Sequence, residues 1–327
     1  MIRTVRVLSI DGGGVRGLVP AIVLSALERT AQKPVHELFD LVAGTSTGAI
    51  LAASLCSPKP RSASELVDLY LANLRRIFRE DPVRKVTSVI SSGKYDHAVL
   101  ESILEDNFGL TYLSDCRTNL LIPAYDIEAR DAKFFKSWRA RGVMNPPGEK
   151  RVDADYLLSG IVRAATAAPT YFEPARITSR SGIPIAAIDG AVFANNPAMC
   201  ALSSARRLYP DAEKFIVLSL GTGQLAQPIR YDVARRFGMV SWARPVLDCM
   251  MDGAADIVDY QLEEAFPTGL EYIRLQTDMR APLSPSDSID DVTPENIRRL
   301  IVTGQKLAAE SSAEINRIMP ILNGLVS

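Results

Sequence analysis

Two strand–turn–helix units stand back to back at the start of the chain, and both turns are built from residues that leave the backbone bare. Residues 5–10 (Val-Arg-Val-Leu-Ser-Ile) read as a strand, Asp11-Gly12-Gly13-Gly14-Val15-Arg16-Gly17 as the turn, and residues 18–32 as a helix rich in Ala, Leu and Ile. The pattern repeats with a short apolar strand at 39–43, the turn Gly44-Thr45-Ser46-Thr47-Gly48, and a small-residue helix at 47–55. Strands joined through helices run parallel and need cover on both faces. The predicted fold class is therefore α/β, a three-layer α/β/α sandwich with a mainly parallel central sheet.

The same alternation continues downstream. Ser62-Ala63-Ser64-Glu65 has the spacing of a capping box and opens a helix toward Phe78, with Leu66, Leu69, Leu74 and Ile77 at helical spacing. A helix is expected at 95–108, strands at 119–127 and 134–138, and a helix at 156–168 stopped by Pro169. Strands at 185–188 and 215–220 flank a helix that Asn196-Pro197 should start. The remainder reads as largely helical, with Thr293-Pro294 opening one late helix. Two loops rich in proline and charge, 139–153 and 278–291, lie between periodic segments and do not read as linkers. The expectation is one domain over 1–327, with a core at about 5–222 and a helical part at about 233–327.

Net charge is −1, which offers no global attraction to a nucleic acid polymer or an anionic surface. Cys56, Cys116, Cys200 and Cys249 lie far apart with no CxxC pair, so no metal site is expected and the thiols read as reduced. The chain opens directly on a strand and a glycine loop where a secretory signal would need an apolar run. No stretch approaches the ~18–20 apolar residues of a membrane span. A cytoplasmic protein with peripheral membrane contact is the expectation. Arg75, Arg76, Arg79, Arg84 and Lys85 form a basic cluster that reads as a solvated helix face or as transient attachment to anionic lipid heads.

Three constellations carry chemistry. GxSxG at a strand-to-helix turn projects a serine hydroxyl from a strained elbow, here Ser46 between Gly44 and Gly48. The N–H groups of Gly12, Gly13 and Gly14, unshielded by side chains at a helix start, can converge on an anion, with Arg16 and Gly17 supporting the loop. Asp189-Gly190-Ala191 puts a carboxylate at the end of a strand, where α/β sheets place functional groups. The chain holds only two histidines, His36 and His97, and neither follows Asp189. A triad in the chain order Ser, acid, His is excluded. A carboxylate with a pKa raised by burial can serve as base instead, and Asp189 has the best expected position.

These segments, in this order, resemble the glycine loop, nucleophile elbow and Asp-Gly-Ala/Gly motif of the patatin-like phospholipases. Leu8-Ser9-Ile10, Ala167-Ala168-Pro169-Thr170-Tyr171-Phe172, Asn195-Asn196-Pro197-Ala198 and Leu218-Ser219-Leu220-Gly221-Thr222-Gly223 extend the likeness. The resemblance implies a lipid substrate, no cofactor and no metal, with Ser46 as nucleophile and Asp189 as its only catalytic partner. It implies an oxyanion hole from Gly12, Gly13 and Gly14 with the backbone at Val15. Phe193 is bulkier than the alanine common at that place and either reshapes an acyl pocket or packs. Some bacterial members are switched on by cyclic oligonucleotides in antiphage defence, and this chain is compatible with such an activator and with a homo-oligomer. Rival readings are dinucleotide binding, for which the second strand lacks its closing acid, and nucleotide-phosphate binding with Gly221-Thr222-Gly223 as a second phosphate loop.

Overall fold

A computed structural model describes residues 3–79, 93–143, 152–224, 228–266, 268–279 and 284–324. The strands are β1 (Thr4–Ile10), β2 (Leu41–Gly44), β3 (Asn119–Asp126), β4 (Asp131–Lys136), β5 (Ala175–Thr178), β6 (Pro184–Asp189), β7 (Lys214–Leu220) and β8 (Leu270–Leu275). They form one sheet in the order β5-β6-β3-β2-β1-β7-β8, with β4 also paired to β3. The pairs β1/β2, β2/β3, β1/β7 and β7/β8 are parallel, while β3/β4, β3/β6 and β5/β6 are antiparallel.

The two-residue period of the strands sorts the core into two halves. Leu8, Ile10, Val42, Leu120, Ile122, Ile216 and Leu218 face one cluster, and Val5, Val7, Leu41, Ala43, Leu121, Phe215 and Val217 face the other. The first face is covered by the helices Leu18–Ala31, Thr47–Cys56, Ala63–Ile77 and His97–Phe108, and by Pro294–Glu310. The second is covered by Ala198–Leu208 and the far end of Met239–Glu264 through Val258 and Leu262. Burying each such aliphatic side chain contributes ~1.5–3 kcal/mol. This is the expected α/β/α sandwich.

Local chemistry explains most element starts. Ser62 and Glu65 form the capping box, Thr293 accepts from Asn296 N–H at 3.3 Å, and Asn196 Oδ1 accepts from Ala198 N–H at 3.0 Å. Several elements depart from the sequence reading, among them the strand β5, which that reading leaves unassigned. Residues 137–138 turn into a short helix after β4, where the side chain of Ser137 accepts from Leu120 N–H at 2.9 Å. The C-terminal part is not wholly helical, because β8 joins the sheet edge beside β7. Its alternating Glu271, Tyr272, Ile273 and Arg274 are half-polar, so the segment carries no strong strand signal in isolation.

Candidate active site

Parallel register brings the two N-terminal turns side by side. Ile10 pairs with Gly44, so the glycine loop and the serine elbow leave the sheet together, and Thr45 N–H donates to Ile10 O at 3.1 Å. β6 enters from the other side of β3, antiparallel and offset, so that Asp189 pairs with Ala124. That level lies just beyond Leu121, where β3 last pairs with β2 through Ala43. One strand thus carries the acid and the elbow to the same edge from opposite directions.

Ser46 stands at φ 54, ψ −122, a strained backbone for a residue with a side chain, worth ~1–3 kcal/mol. Tight packing holds it there: a Cβ on Gly48 would meet Ile10 O at 2.3 Å, and one on Gly12 would meet Ser46 Cβ at 3.1 Å. Gly44 backs onto Gly48, Gly17 onto Thr47 and Gly190 onto Pro123, so every motif glycine lies against a neighbour. Ala191 lies beside Gly12 and gives its N–H to Asp189 Oδ1 at 2.8 Å.

Asp189 is 1% exposed, and its Oδ2 makes no completed hydrogen bond among the described residues. Burial raises its pKa to about 7, while the Ser46 hydroxyl and the Ala191 N–H hold it from rising further. A buried carboxyl facing a hydroxyl, titrating near neutrality, can take and return a proton. His36 and His97 line neither of the two cavities that contain Ser46. His97 instead lies 3.7 Å from Glu173.

In the glycine loop two of the expected donor N–H groups are already hydrogen-bonded within the protein. Val15 N–H donates to Ile289 O at 2.8 Å and Gly12 N–H to Asn195 O at 3.1 Å, so neither is free. Gly13 and Gly14 keep N–H groups without an acceptor among the described residues. The reason is long-range: Ile289 comes from a loop hundreds of residues away and lies over Gly14, which sits at φ +58 with Ile289 O at 2.1 Å from any added Cβ. Asp290 next to it is buried and accepts from Tyr95 Oη at 2.7 Å and Lys94 Nζ at 2.5 Å.

Residues that the sequence reading did not assign hold this loop from behind. Thr222 Oγ1 donates to Gly12 O at 2.7 Å. Asp11 accepts from Arg274 at 2.6 Å, and Arg274 also reaches Ser219 Oγ at 2.8 Å and Asp259 at 3.4 Å. Burial works against the Arg274 charge, but Asp11 and Asp259 outweigh it and leave its pKa raised. Thr222 lay in a motif legible from sequence; Arg274 left no signal, because only the pairing of β8 brings it near. The N–H groups of Gly221 and Gly223 go to Leu275 O and Gln276 Oε1, which removes them from a phosphate loop.

Two cavities meet at Ser46. One, with about 780 Å³ of empty space measured out to its mouth, is apolar and walled by Ile50, Leu69, Leu74, Ile77, Ile103, Leu104 and Phe172. The other, about 810 Å³ on the same measure, holds Asp189, Gly13, Arg16, Asp248, Asp252, Leu247 and Met251. Arg16 is buried, with Nη1 unpartnered among the described residues, and burial lowers its pKa against the pull of Asp252. Phe193 lines neither cavity and stacks instead on Phe134 and Tyr125. Arg75, Arg76 and Arg79 are exposed, whereas Arg84 and Lys85 lie outside the described residues.

A strained serine at a strand-to-helix turn of an α/β sandwich has the backbone geometry of a nucleophile elbow. The chain belongs to the patatin-like phospholipase family, whose profile matches residues 8–202. It is 32% identical to Patatin-like protein 2 of Arabidopsis thaliana, over 95% of this chain and 84% of the relative. It is 30% identical to Patatin-like protein 2 of rice (Oryza sativa subsp. indica), over 96% and 86%. Among solved structures, human GIVD cytosolic phospholipase A2 is similar at a TM-score of 0.46 and 12% identity, covering 98% of this chain and 60% of that one. Among the described residues no helix is long and apolar enough to cross a membrane.

Proposed function

We propose that the chain is a serine lipid acyl hydrolase that cleaves fatty acyl esters through Ser46 and Asp189. Membership of a phospholipase family supports lipid hydrolysis. The observation that carries the finer reading is the buried Asp189 carboxyl, perturbed by the Ser46 hydroxyl and titrating at about 7.

The ester carbonyl would sit between Ser46 and the open N–H groups of Gly13 and Gly14. Ser46 Oγ attacks the carbonyl carbon as its proton passes to the Asp189 carboxylate. The carbonyl π pair moves onto oxygen, where the two amides hold it; removing one such donor typically costs ~100–1,000-fold. Collapse of the tetrahedral intermediate breaks the C–O bond, and the leaving alcohol takes the proton from Asp189. The acyl group remains on Ser46. Water then gives a proton to Asp189 and attacks the acyl-enzyme, and the proton returns to Ser46 as the fatty acid departs.

The acyl chain fits the apolar cavity, and the leaving group the second one, where Arg16, Asp248 and Asp252 supply charged groups that the first cavity lacks. A fluorophosphonate probe tests this directly, since it is attacked only by an activated hydroxyl. Labelling should map to the peptide containing Ser46 and vanish in Ser46→Ala. Label on another residue, or none with active protein, would reject the assignment.

A further inference from the structure

We propose that residues 229–242, continued along the exposed side of the helix Met239–Glu264 as far as Met250, form the surface that docks on an anionic lipid bilayer. The inference rests on the hydrolase reading and names the surface from which that site would take its substrate.

Single exposed apolar side chains are normal on a soluble protein and mean little. Here they are concentrated: of sixteen large hydrophobic residues exposed among those described, ten fall between Ile229 and Tyr260. Met239 is 92% exposed, Val240 90% and Tyr231 78%. No residue from 228 to 257 with a described side chain belongs to the buried core. Phe237 and Trp242 pack edge-on with centroids 5.4 Å apart, and Trp242 is still exposed. A contiguous patch of this kind marks a contact surface.

Charge selects the occupant. Arg230, Arg235 and Arg236 are exposed in the same segment, against Asp232 alone, in a chain whose total charge is −1. Apolar and aromatic residues interleaved with arginine suit the interface of an anionic bilayer, which attracts basic residues near its surface. Asp248, inside the surface, lines the cavity, and Asp252, Asp256, Asp259, Glu263 and Glu264 lie on the later turns of the helix, so the same bilayer repels that end and admits the first one.

Position supplies the second argument. Leu247, Met250 and Met251, further along this helix, line the polar cavity that holds Ser46 and Asp189. Met250 is itself 51% exposed, so the patch runs from the tip to the cavity mouth. At 1.5 Å per residue, Met239 and Met250 are separated by roughly 16 Å along the axis. A bilayer that touched Met239 and Val240 and extended along the patch to Met250 would lie beside the opening through which an ester must enter.

The test uses the full chain with vesicles of phosphatidylcholine, with and without phosphatidylglycerol. The parent should float with the anionic vesicles and release fatty acid from them. Met239→Asp with Val240→Asp should lower the bound fraction and the vesicle hydrolysis about tenfold, leaving turnover of a dissolved short-chain p-nitrophenyl ester unchanged. Arg235→Glu with Arg236→Glu should abolish the preference for phosphatidylglycerol. Ser46→Ala should float like the parent; vesicle binding without ester turnover in the parent would fault the hydrolase reading and leave docking intact. Undiminished flotation of the double aspartate variant would overturn the proposal. So would a parental dimer that the same variant splits while its vesicle binding stays unchanged, because the patch would then belong to a second copy of the chain.

Discussion

The two cavities that share Ser46 are closed in different ways. The apolar one is walled by the helices Thr47–Cys56, Ala63–Ile77 and His97–Phe108, whose inner residues also belong to the main core. The polar one is assembled from segments remote in sequence, residues 13–16, 168–171, 189–195, 247–252 and 289. A core-like wall is rigid and holds one shape, because interiors pack at near-crystalline density. A wall borrowed from loops and a half-exposed helix tolerates variation. An enzyme built this way would select its acyl chain by fit and its leaving group more loosely.

The largest expected effect cuts through the point where the cavities meet. Asp189→Asn keeps the shape and removes the base, and ester turnover should fall ~1,000-fold or more. Its stability should move the other way. An unfolded aspartate loses its proton near pH 3.9, whereas buried Asp189 keeps it up to about 7. The native state therefore binds more protons between these values and loses stability as pH rises through them. At pH 8 the asparagine variant should be more stable than the parent by about 2–4 kcal/mol, measured by denaturant unfolding. The parent's kcat/KM should climb about tenfold per pH unit below 7 and then level, as expected for an ionised base. A flat profile from pH 5 to 8 would show that Asp189 is not the base.

Next comes the loop between the cavities. Gly14→Ala would force a Cβ against Ile289 O in a left-handed backbone. It should lower kcat ~100-fold by displacing the Gly13 and Gly14 donors, with a smaller change in KM. Unaltered kcat would detach these amides from the chemistry.

The smallest effect sharpens the contrast itself. Leu69→Trp narrows the apolar cavity without touching Ser46, since Leu69 is only half-buried on its helix. The ratio of kcat/KM for long over short acyl esters should drop about tenfold, in line with discrimination of 10-fold or more per misfitted methylene. An equal loss for every chain length would mean that the acyl group lies elsewhere.

Much of the site was legible because its parts are local. The glycine loop and the Ser46 elbow follow strands and Asp189 ends one, and strand periodicity can be read from the apolar spacing. The absence of any histidine after Asp189 pointed to a carboxylate base without coordinates. What could not be read was anything set by pairing between distant segments. β8 looked like part of a helical tail, so Arg274 and its hold on Asp11 went unseen. Val15 was an expected donor until Ile289 claimed its N–H. Phe193 could have lined a pocket or packed, and the choice fell to Phe134 and Tyr125 on neighbouring strands.

By itself the amino-acid order determined the secondary structure around each turn, the α/β class and the chemical identity of the hydroxyl, the acid and the bare loop. These follow from short-range sterics, capping and periodicity, which act within a few residues. Only the tertiary structure decided which amides stay open, which cavity is apolar, and which face is left uncovered. Those depend on burial and on hydrogen bonds closed across the sheet, as when Ile289 takes the Val15 amide while Gly13 and Gly14 N–H find no acceptor among the described residues.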